Sequence, residues 1–263
     1  MDLSHMQAVI LCGGLGTRLR EETEFKPKPM VEIGGEPILR HIMTIYSNFG
    51  VKRFVLCLGY KGEVIRDYFV NYRQNIADLE VKLVTGDVNI LNHRECDDWN
   101  VVLADTGQNA MTGARIKRAL KYVDNDHFFA TYGDGVSDID LHGLYQHHLD
   151  NKKLATVTAV RPSSRFGEIS VEQGSVTAFE EKPQVSESWI NGGFFVFDKK
   201  VFDSVPDDEG VVLETSVLNK LASDGQLSAY KHPGFWQCMD TIRETQVLNQ
   251  MIKAGNAPWI KQK

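Results

Sequence analysis

Apolar positions along this chain alternate between short continuous runs and stretches of helical spacing. After Gln7, residues 8–12 form an apolar run of the length of a buried strand. Across 37–49, Ile38, Leu39, Ile42, Ile45, Tyr46 and Phe49 share one helical face, and Gly50 is placed to end that helix. An apolar strand follows at 53–58, stopped by Gly59. A second helical pattern at 62–72 carries Val64, Ile65, Tyr68 and Phe69 on one side. Strand, helix, strand, helix predicts a parallel sheet covered by helices on both faces, with right-handed crossovers. Residues 81–91 read as one strand, 92–98 as a charged loop without an assignable role, and 99–104 as another strand. The segment 111–115 opens a helix over 116–123 with Thr112 as N-cap. A strand at 127–132 runs straight into Gly133-Asp134-Gly135. Residues 138–151 read as a helix bearing His142, His147 and His148, which fit no metal-binding spacing and are expected at the surface or an interface.

Beyond Lys152 the pattern changes. Strands are predicted at 155–160, 166–171 and 175–179, with a hairpin turn at Gln173-Gly174-Ser175. A strand at 189–197 has glycines at its entrance. A helix at 214–223, a strand at 227–232 and a final helix reaching 251 complete the chain. No repeat, low-complexity segment or Pro/Gly/Ser linker divides it. The expected fold is α/β: a Rossmann-like, mostly parallel sheet flanked by helices, with a mixed β substrate-binding half, as one domain over 6–263. Residues 1–5 add no periodicity, and Ser4-His5-Met6 looks like a cloning remnant, so they stay outside the fold reading.

Composition narrows the function classes. A chain of 263 residues can bury a large core. A formal net charge of -6 argues against a general nucleic-acid binder, yet leaves room for a few cations around a nucleotide. No apolar run approaches a membrane span, and the start lacks the regions of a signal peptide. The four cysteines show no C-x-x-C spacing, so a zinc site is not expected. Together these features predict a reduced, cytoplasmic protein with no membrane partner.

The chemistry concentrates near the start. Leu11 and Cys12 close the first strand, and Gly13, Gly14 and Gly16 follow within four residues, then Thr17 and Arg18. Lys28 comes next, stiffened between Pro27 and Pro29. A glycine turn offering backbone N–H groups, with fixed cations beside it, suits a polyphosphate. It is not a P-loop, because no Lys-Ser or Lys-Thr follows the glycines. It is not a dinucleotide fingerprint, because Leu19 stands where the third glycine belongs. In an open parallel sheet ligands gather beyond the carboxyl ends of the strands, so Asp134 should lie at the same edge as Gly13. Asp134 and Asp240 could hold Mg²⁺, which takes one or two carboxylates and completes its shell with water and phosphate oxygens. Asp134 could equally be a turn aspartate and Asp240 a helix N-cap.

Gly13-Gly-Leu-Gly-Thr-Arg18 with Lys26-Pro-Lys-Pro-Met30 resembles the signature of the sugar-1-phosphate nucleotidylyltransferases. Gly133-Asp-Gly135, Glu181-Lys-Pro183, Asn191-Gly-Gly193 and Asp240 match that family's later motifs in order, from Met6 onward. Trp99-Asn-Val101, Asp105-Thr-Gly107, Met111-Thr-Gly113 and His232-Pro-Gly-Phe-Trp-Gln237 match most closely the members that join CTP to glucose 1-phosphate. The resemblance implies CTP and a sugar 1-phosphate as substrates, Mg²⁺ as cofactor, CDP-glucose and pyrophosphate as products, and a homo-oligomer. It implies that Arg18, Lys28 and Lys182 act on the phosphates and that Asp134 and Asp240 hold the metal. Leu11, Cys12, Gly13, Gly14, Gly16, Thr17, Thr106, Thr112, Gly113, Arg115 and Gly133 would border the nucleotide. Tyr132, Glu181, Asn191 and Gly192 would face the sugar. Two departures stand out: Ala114 replaces an expected glycine, which would narrow the base pocket, and 162–165 differs on the sugar side. Another nucleotide or sugar phosphate, or nucleotide binding without turnover, are the competing readings.

Overall fold

The computed structural model describes residues 1–92, 96–162, 168–180 and 188–260. The first apolar run forms β1 (Gln7–Leu11), and all five of its residues are buried. On one side β1 pairs in parallel with β2 (Arg53–Leu58), which pairs in parallel with β3 (Asn100–Asp105). On the other it pairs in parallel with β4 (His127–Tyr132), so that Val9 lies between Val55 and Ala130. A short strand, β5 (Gly135–Ser137), follows β4. The second half adds β6 (Ala155–Val160), β7 (Ile190–Asp198) and β8 (Leu227–His232), giving a seven-stranded sheet in the order β8-β6-β7-β4-β1-β2-β3. Only β7 runs antiparallel to its neighbours. The sheet is therefore mostly parallel, as the sequence predicts, and it runs on through the second half of the chain.

Alternate residues of the central strands feed two cores. Ala8 and Ile10 join Ile42 and Tyr46 of α1 (Ile38–Ser47) on one face. Val9 and Leu11 join Ala114 and Ile116 on the other. Both faces are covered, which is why the strands read as apolar runs rather than alternating ones. Tyr46 packs against Phe129 and Phe194 with centroids 5.6 and 6.1 Å away. Such aromatic pairs add roughly 0.5–1.5 kcal/mol each beyond their buried area. Leu3 is fully buried in the first core, so the segment set outside the fold contributes to it.

Several elements differ from expectation. The single strand at 81–91 is a hairpin of Leu79–Val81 and Val88–Ile90. Gly86 takes a φ of +77° and its N–H donates to the Lys82 carbonyl at 2.7 Å, so turn chemistry overrides the apolar count. The second helical pattern ends as α2 (Gly62–Val70), followed by a separate turn at Tyr72–Asn75. The next helix, α3 (Thr112–Ala119), starts at Thr112 with Met111 as N-cap. The Thr112 hydroxyl does not cap it, because it is engaged with a distant segment described below. Asp140 caps α4 (Leu141–Asn151) through the His142 amide at 3.0 Å. The predicted helix at 214–223 divides into a wide π turn, Leu213–Leu218, and a short α segment, Asn219–Ser223.

His148 is the clearest correction to the surface reading of the α4 histidines. It is buried, and its Nδ1 lies 2.9 Å from the Thr156 hydroxyl. Burial, reinforced by neighbouring His127, pushes its pKa down to about 4. Above pH 6.5 the ring is neutral in both folded and unfolded chains. As pH falls from 6.5 to about 4 the unfolded chain takes up the proton first, so stability falls and then levels off. The expected loss is roughly 3 kcal/mol at most. Denaturant unfolding of wild type and His148→Asn at pH 7 and pH 5 checks this; the variant should lose most of that pH dependence.

Candidate active site

The carboxyl ends of β1 and β4 meet at one edge of the sheet. The Gly133 amide donates to the Leu11 carbonyl at 3.1 Å, and Asp134 comes next. β5 then pairs antiparallel with β9 (Trp236–Cys238), setting Gly135 opposite Cys238. The Met239 amide donates to the Asp134 carbonyl at 2.8 Å, which carries Asp240 to the same place. The Lys28 ammonium sits between the two carboxylates, 2.7 Å from Asp134 Oδ2 and 2.5 Å from Asp240 Oδ1. Arg18 Nη1 reaches Asp240 Oδ2 at 2.8 Å while most of its side chain stays in solvent. Arg18, Lys28, Asp134 and Asp240, from four separate segments, thus form one cluster.

Local structure explains why each group points inward. Pro27 is extended, and Lys28–Met30 then makes one tight turn with Pro29 inside it, so the lysine stem is held and largely buried. Thr241, not Asp240, caps α5 (Ile242–Lys253): its hydroxyl accepts from the Glu244 amide at 3.3 Å. The Glu244 carboxylate in turn accepts from the amides of Asp240 and Thr241 at 2.7 and 2.9 Å. This capping box fixes the Asp240 backbone and leaves its carboxylate for the cluster. Asp134 likewise accepts from Lys28 rather than acting as a simple turn aspartate.

Burial works against charge on Lys28, but the Asp134 and Asp240 carboxylates outweigh it and hold the ammonium above the usual lysine range. Burial also opposes the Asp240 charge, and Lys28 and Arg18 outweigh it, holding that carboxyl below 3.8. The cluster's contribution to stability is therefore present at neutral pH. It is lost as pH falls from 3.8 through the lower folded value of Asp240, or rises from 10.5 through the higher one of Lys28.

The cluster lies at one end of a cleft of about 570 Å³. The glycine loop from Leu11 to Arg18, Pro29, residues 108–112, Tyr132 and Gly133 complete its walls. Among the described residues the amides of Gly14, Leu15 and Gly16 donate to no other backbone group. Free N–H groups beside Lys28 and Arg18 make an anion cradle.

Arg115 supports this cradle from beneath. It is buried, and its guanidinium donates to the carbonyls of Gly13 (3.0 Å), Leu58 (2.9 Å), Gly107 (2.8 Å) and Gln108 (3.2 Å) and to the Thr106 hydroxyl (3.0 Å). A Cβ on Gly13 would stand 2.2 Å from Arg115 Nη1, so only glycine allows this approach. Burial lowers the guanidinium pKa, and no carboxylate accepts from it among the described residues. Arg115 therefore bears on a nucleotide chiefly by holding the two loops that would contact it.

The other predicted site residues differ in placement, Cys12 bordering the cleft and Thr106, Gly113, Asn191 and Gly192 lying outside its lining. Thr106 is buried and donates to the Leu58 carbonyl at 2.7 Å. Gly113 and Ala114 face inward: a Cβ on Gly113 would meet Val211, and Ala114 belongs to the second core. Neither lines the cleft, so Ala114 does not narrow it. The Cys12 thiol is buried and its amide donates to the Cys57 carbonyl at 3.1 Å, leaving it no free N–H. Asn191 lies beside Tyr132, its Nδ2 donating to the tyrosine hydroxyl at 3.3 Å. The Gly192 carbonyl accepts from Trp236 Nε1 at 2.7 Å, which explains the tryptophan in the His232–Gln237 run. Glu181, Lys182 and the departure at 163–165 lie outside the described residues. Sequence reasoning missed Glu214 altogether: it accepts from Tyr132 and Thr112 across the cleft wall, and nothing local to it signals that contact.

The nucleotidyl transferase family model matches residues 7–242. The chain is 48% identical over 255 residues to the glucose-1-phosphate cytidylyltransferase of Salmonella typhi, covering 97% of this chain and 98% of that protein. It is 43% identical over 254 residues to a probable glucose-1-phosphate cytidylyltransferase of Bacillus subtilis, covering 97% and 99%. Among solved structures, HddC from Yersinia pseudotuberculosis superposes with a TM-score of 0.67 at 25% identity, over 94% of this chain and 99% of that one.

Proposed function

The chain belongs to the nucleotidyl transferase family, and from that premise we propose that its cleft transfers CMP from CTP to α-D-glucose 1-phosphate, releasing pyrophosphate. The observation that carries this reading is the meeting of Arg18, Lys28, Asp134 and Asp240 beside a loop with free amides. The near-full-length likeness to glucose-1-phosphate cytidylyltransferases supports the choice of base and sugar.

The sugar phosphate oxygen is already anionic, so no enzyme base is required. It attacks the α-phosphorus in line; the new P–O bond forms as the bond to the bridging oxygen of the leaving pyrophosphate breaks. The barrier lies in bringing two anions together and in charge growing on the leaving group, so positioning and electrostatics dominate. The glycine-loop amides and Thr17 grip the triphosphate. Arg18, exposed at the cleft mouth, turns from Asp240 to the departing pyrophosphate. Lys28 neutralises the phosphates nearest the reacting centre. Lys182 holds the sugar phosphate, and Tyr132, Glu181 and Asn191 face the sugar.

Asp134 and Asp240 already surround one cation, the Lys28 ammonium, so their oxygens are arranged for a positive centre. Among the described residues no cluster of three or more His, Cys, Asp or Glu side chains could hold a metal ion. Two carboxylates suit Mg²⁺, which keeps several waters and takes phosphate oxygens. When bound there, Mg²⁺ supplies Lewis-acid stabilisation of charge on the α-phosphate. No helix among the described residues is long and apolar enough to cross a membrane, and a cytoplasmic homo-oligomer is part of this reading.

Pyrophosphate release with CTP, UTP, GTP and dTTP against a panel of sugar 1-phosphates tests the proposal. CTP with glucose 1-phosphate should give the highest kcat/KM; a larger value for another pair would overturn the assigned specificity.

A further inference from the structure

Glu214 lies on the π turn Leu213–Leu218, outside every motif discussed above. Its Oε1 accepts from the Tyr132 hydroxyl and its Oε2 from the Thr112 hydroxyl at 3.0 Å. Thr112 Oγ1 in turn accepts from the Leu213 amide at 2.8 Å, locking the turn to the start of α3. Wide turns of this kind recur at functional sites. On the other side, Tyr132 accepts from Asn191 Nδ2, and Asn191 Oδ1 accepts from the Gly193 amide at 2.8 Å. Gly193 has a φ of +77°, and a Cβ there would stand 2.5 Å from the Tyr132 ring, so the ring and the Asn191 segment are fitted together.

An ionised carboxylate only accepts. Both hydroxyl protons must therefore point at Glu214. With its proton committed, Tyr132 offers only lone pairs, and the neighbouring Asn191 must present its NH₂ group. The Gly193 amide requires the Asn191 oxygen on its other side. Glu214 thus sets the donor direction of Tyr132 from one end, and the Gly193 amide holds Asn191 as the matching donor from the other.

We propose that Glu214 is a positioning residue that fixes the donor direction of Tyr132 to match the Asn191 amide, and so the way the cleft reads sugar hydroxyls. The inference rests on the sugar-facing assignment of Asn191 made above. Glutamine at 214 keeps the size but adds an NH₂ group. One hydroxyl must then reverse, and if Tyr132 reverses, it and the Asn191 amide become two donors facing each other.

The test uses Glu214→Gln, Tyr132→Phe and the double variant, each with the nucleotide and sugar phosphate that wild type turns over best. Glu214→Gln should raise KM for the sugar phosphate by about tenfold, with kcat and KM for the nucleotide changing less than about threefold. Tyr132→Phe should raise the same KM, and the double variant should be no worse than the worse single variant. Glu214→Asp, which keeps an acceptor-only group, should recover part of the loss. If Glu214→Gln improves binding of both anionic substrates alike, the residue acts only through its charge and the proposal fails. Additive effects in the double variant also overturn it. Should Glu214→Gln not fold, Tyr132→Phe decides: an unchanged KM for the sugar phosphate rules the relay out. Wild type preferring another substrate pair would sink the cytidylyl assignment and leave this test intact; wild type turning over no pair overturns both.

Discussion

Lys28→Met lowers kcat by roughly two to three orders of magnitude, the cost of removing a fixed donor from developing phosphate charge. The lysine is held by a proline-bounded turn, and its ammonium lies within 2.7 Å of two carboxylates from distant parts of the chain. Methionine keeps the stem's packing and removes the charge. The loss persists at saturating CTP and magnesium, because it arises in the transition state rather than in binding. Removing the ammonium also leaves two facing carboxylates without their bridge, so the variant's unfolding midpoint falls. Steady-state kinetics with CTP and magnesium each taken to saturation check the first expectation, and a denaturant titration checks the second. Recovery of wild-type kcat at high magnesium would mean that Lys28 only neutralises the carboxylates.

Asp240→Asn has a comparable or larger effect. A bound metal contributes several kcal/mol of charge stabilisation, and each 1.36 kcal/mol is tenfold in rate, so a loss of at least about a hundredfold is expected. The backbone at 240 is set by the capping box of Thr241 and Glu244, not by the Asp240 side chain. Asparagine should therefore fold normally, which separates lost chemistry from lost structure. Arg18 and Lys28 each lose an anionic partner, so CTP binding should not weaken in proportion to kcat. Rates over a magnesium titration check this, with circular dichroism showing that the variant is folded even though its unfolding midpoint falls with the lost ion pairs; normal activity at low magnesium would remove Asp240 from the metal assignment.

How far the sequence was legible depended on whether a residue's reason was local. Residues 7–11, 53–58 and 127–132 read as buried strands because both sheet faces are covered, and each predicted span matches the structure closely. The glycine loop and Asp134 are legible for a related reason, since strand ends in a parallel sheet share an edge, and Lys28 stands out through the prolines on either side of it. Asp240 was ambiguous because a residue ahead of a helix can cap it; only the hydrogen bonds of Thr241 and Glu244 assign that task away from it. Glu214 was not legible at all, since its two partners come from α3 and the end of β4. The family resemblance sets Arg115 beside the nucleotide, and its guanidinium is held by four carbonyls that the sequence does not link to it. His148 reads as a surface or interface residue because it fits no metal-binding spacing, and the Thr156 hydroxyl that holds it lies on a strand the sequence does not link to it.

Electron paramagnetic resonance of Mn²⁺, titrated into the protein with and without CTP, tests most directly whether two acidic side chains and a nucleotide share one ion. Wild type should bind a single Mn²⁺ tightly only when CTP is present, and the Asp134→Asn/Asp240→Asn double variant should weaken that binding at least tenfold while remaining folded. Equal CTP-dependent Mn²⁺ affinity in wild type and double variant would contradict the account.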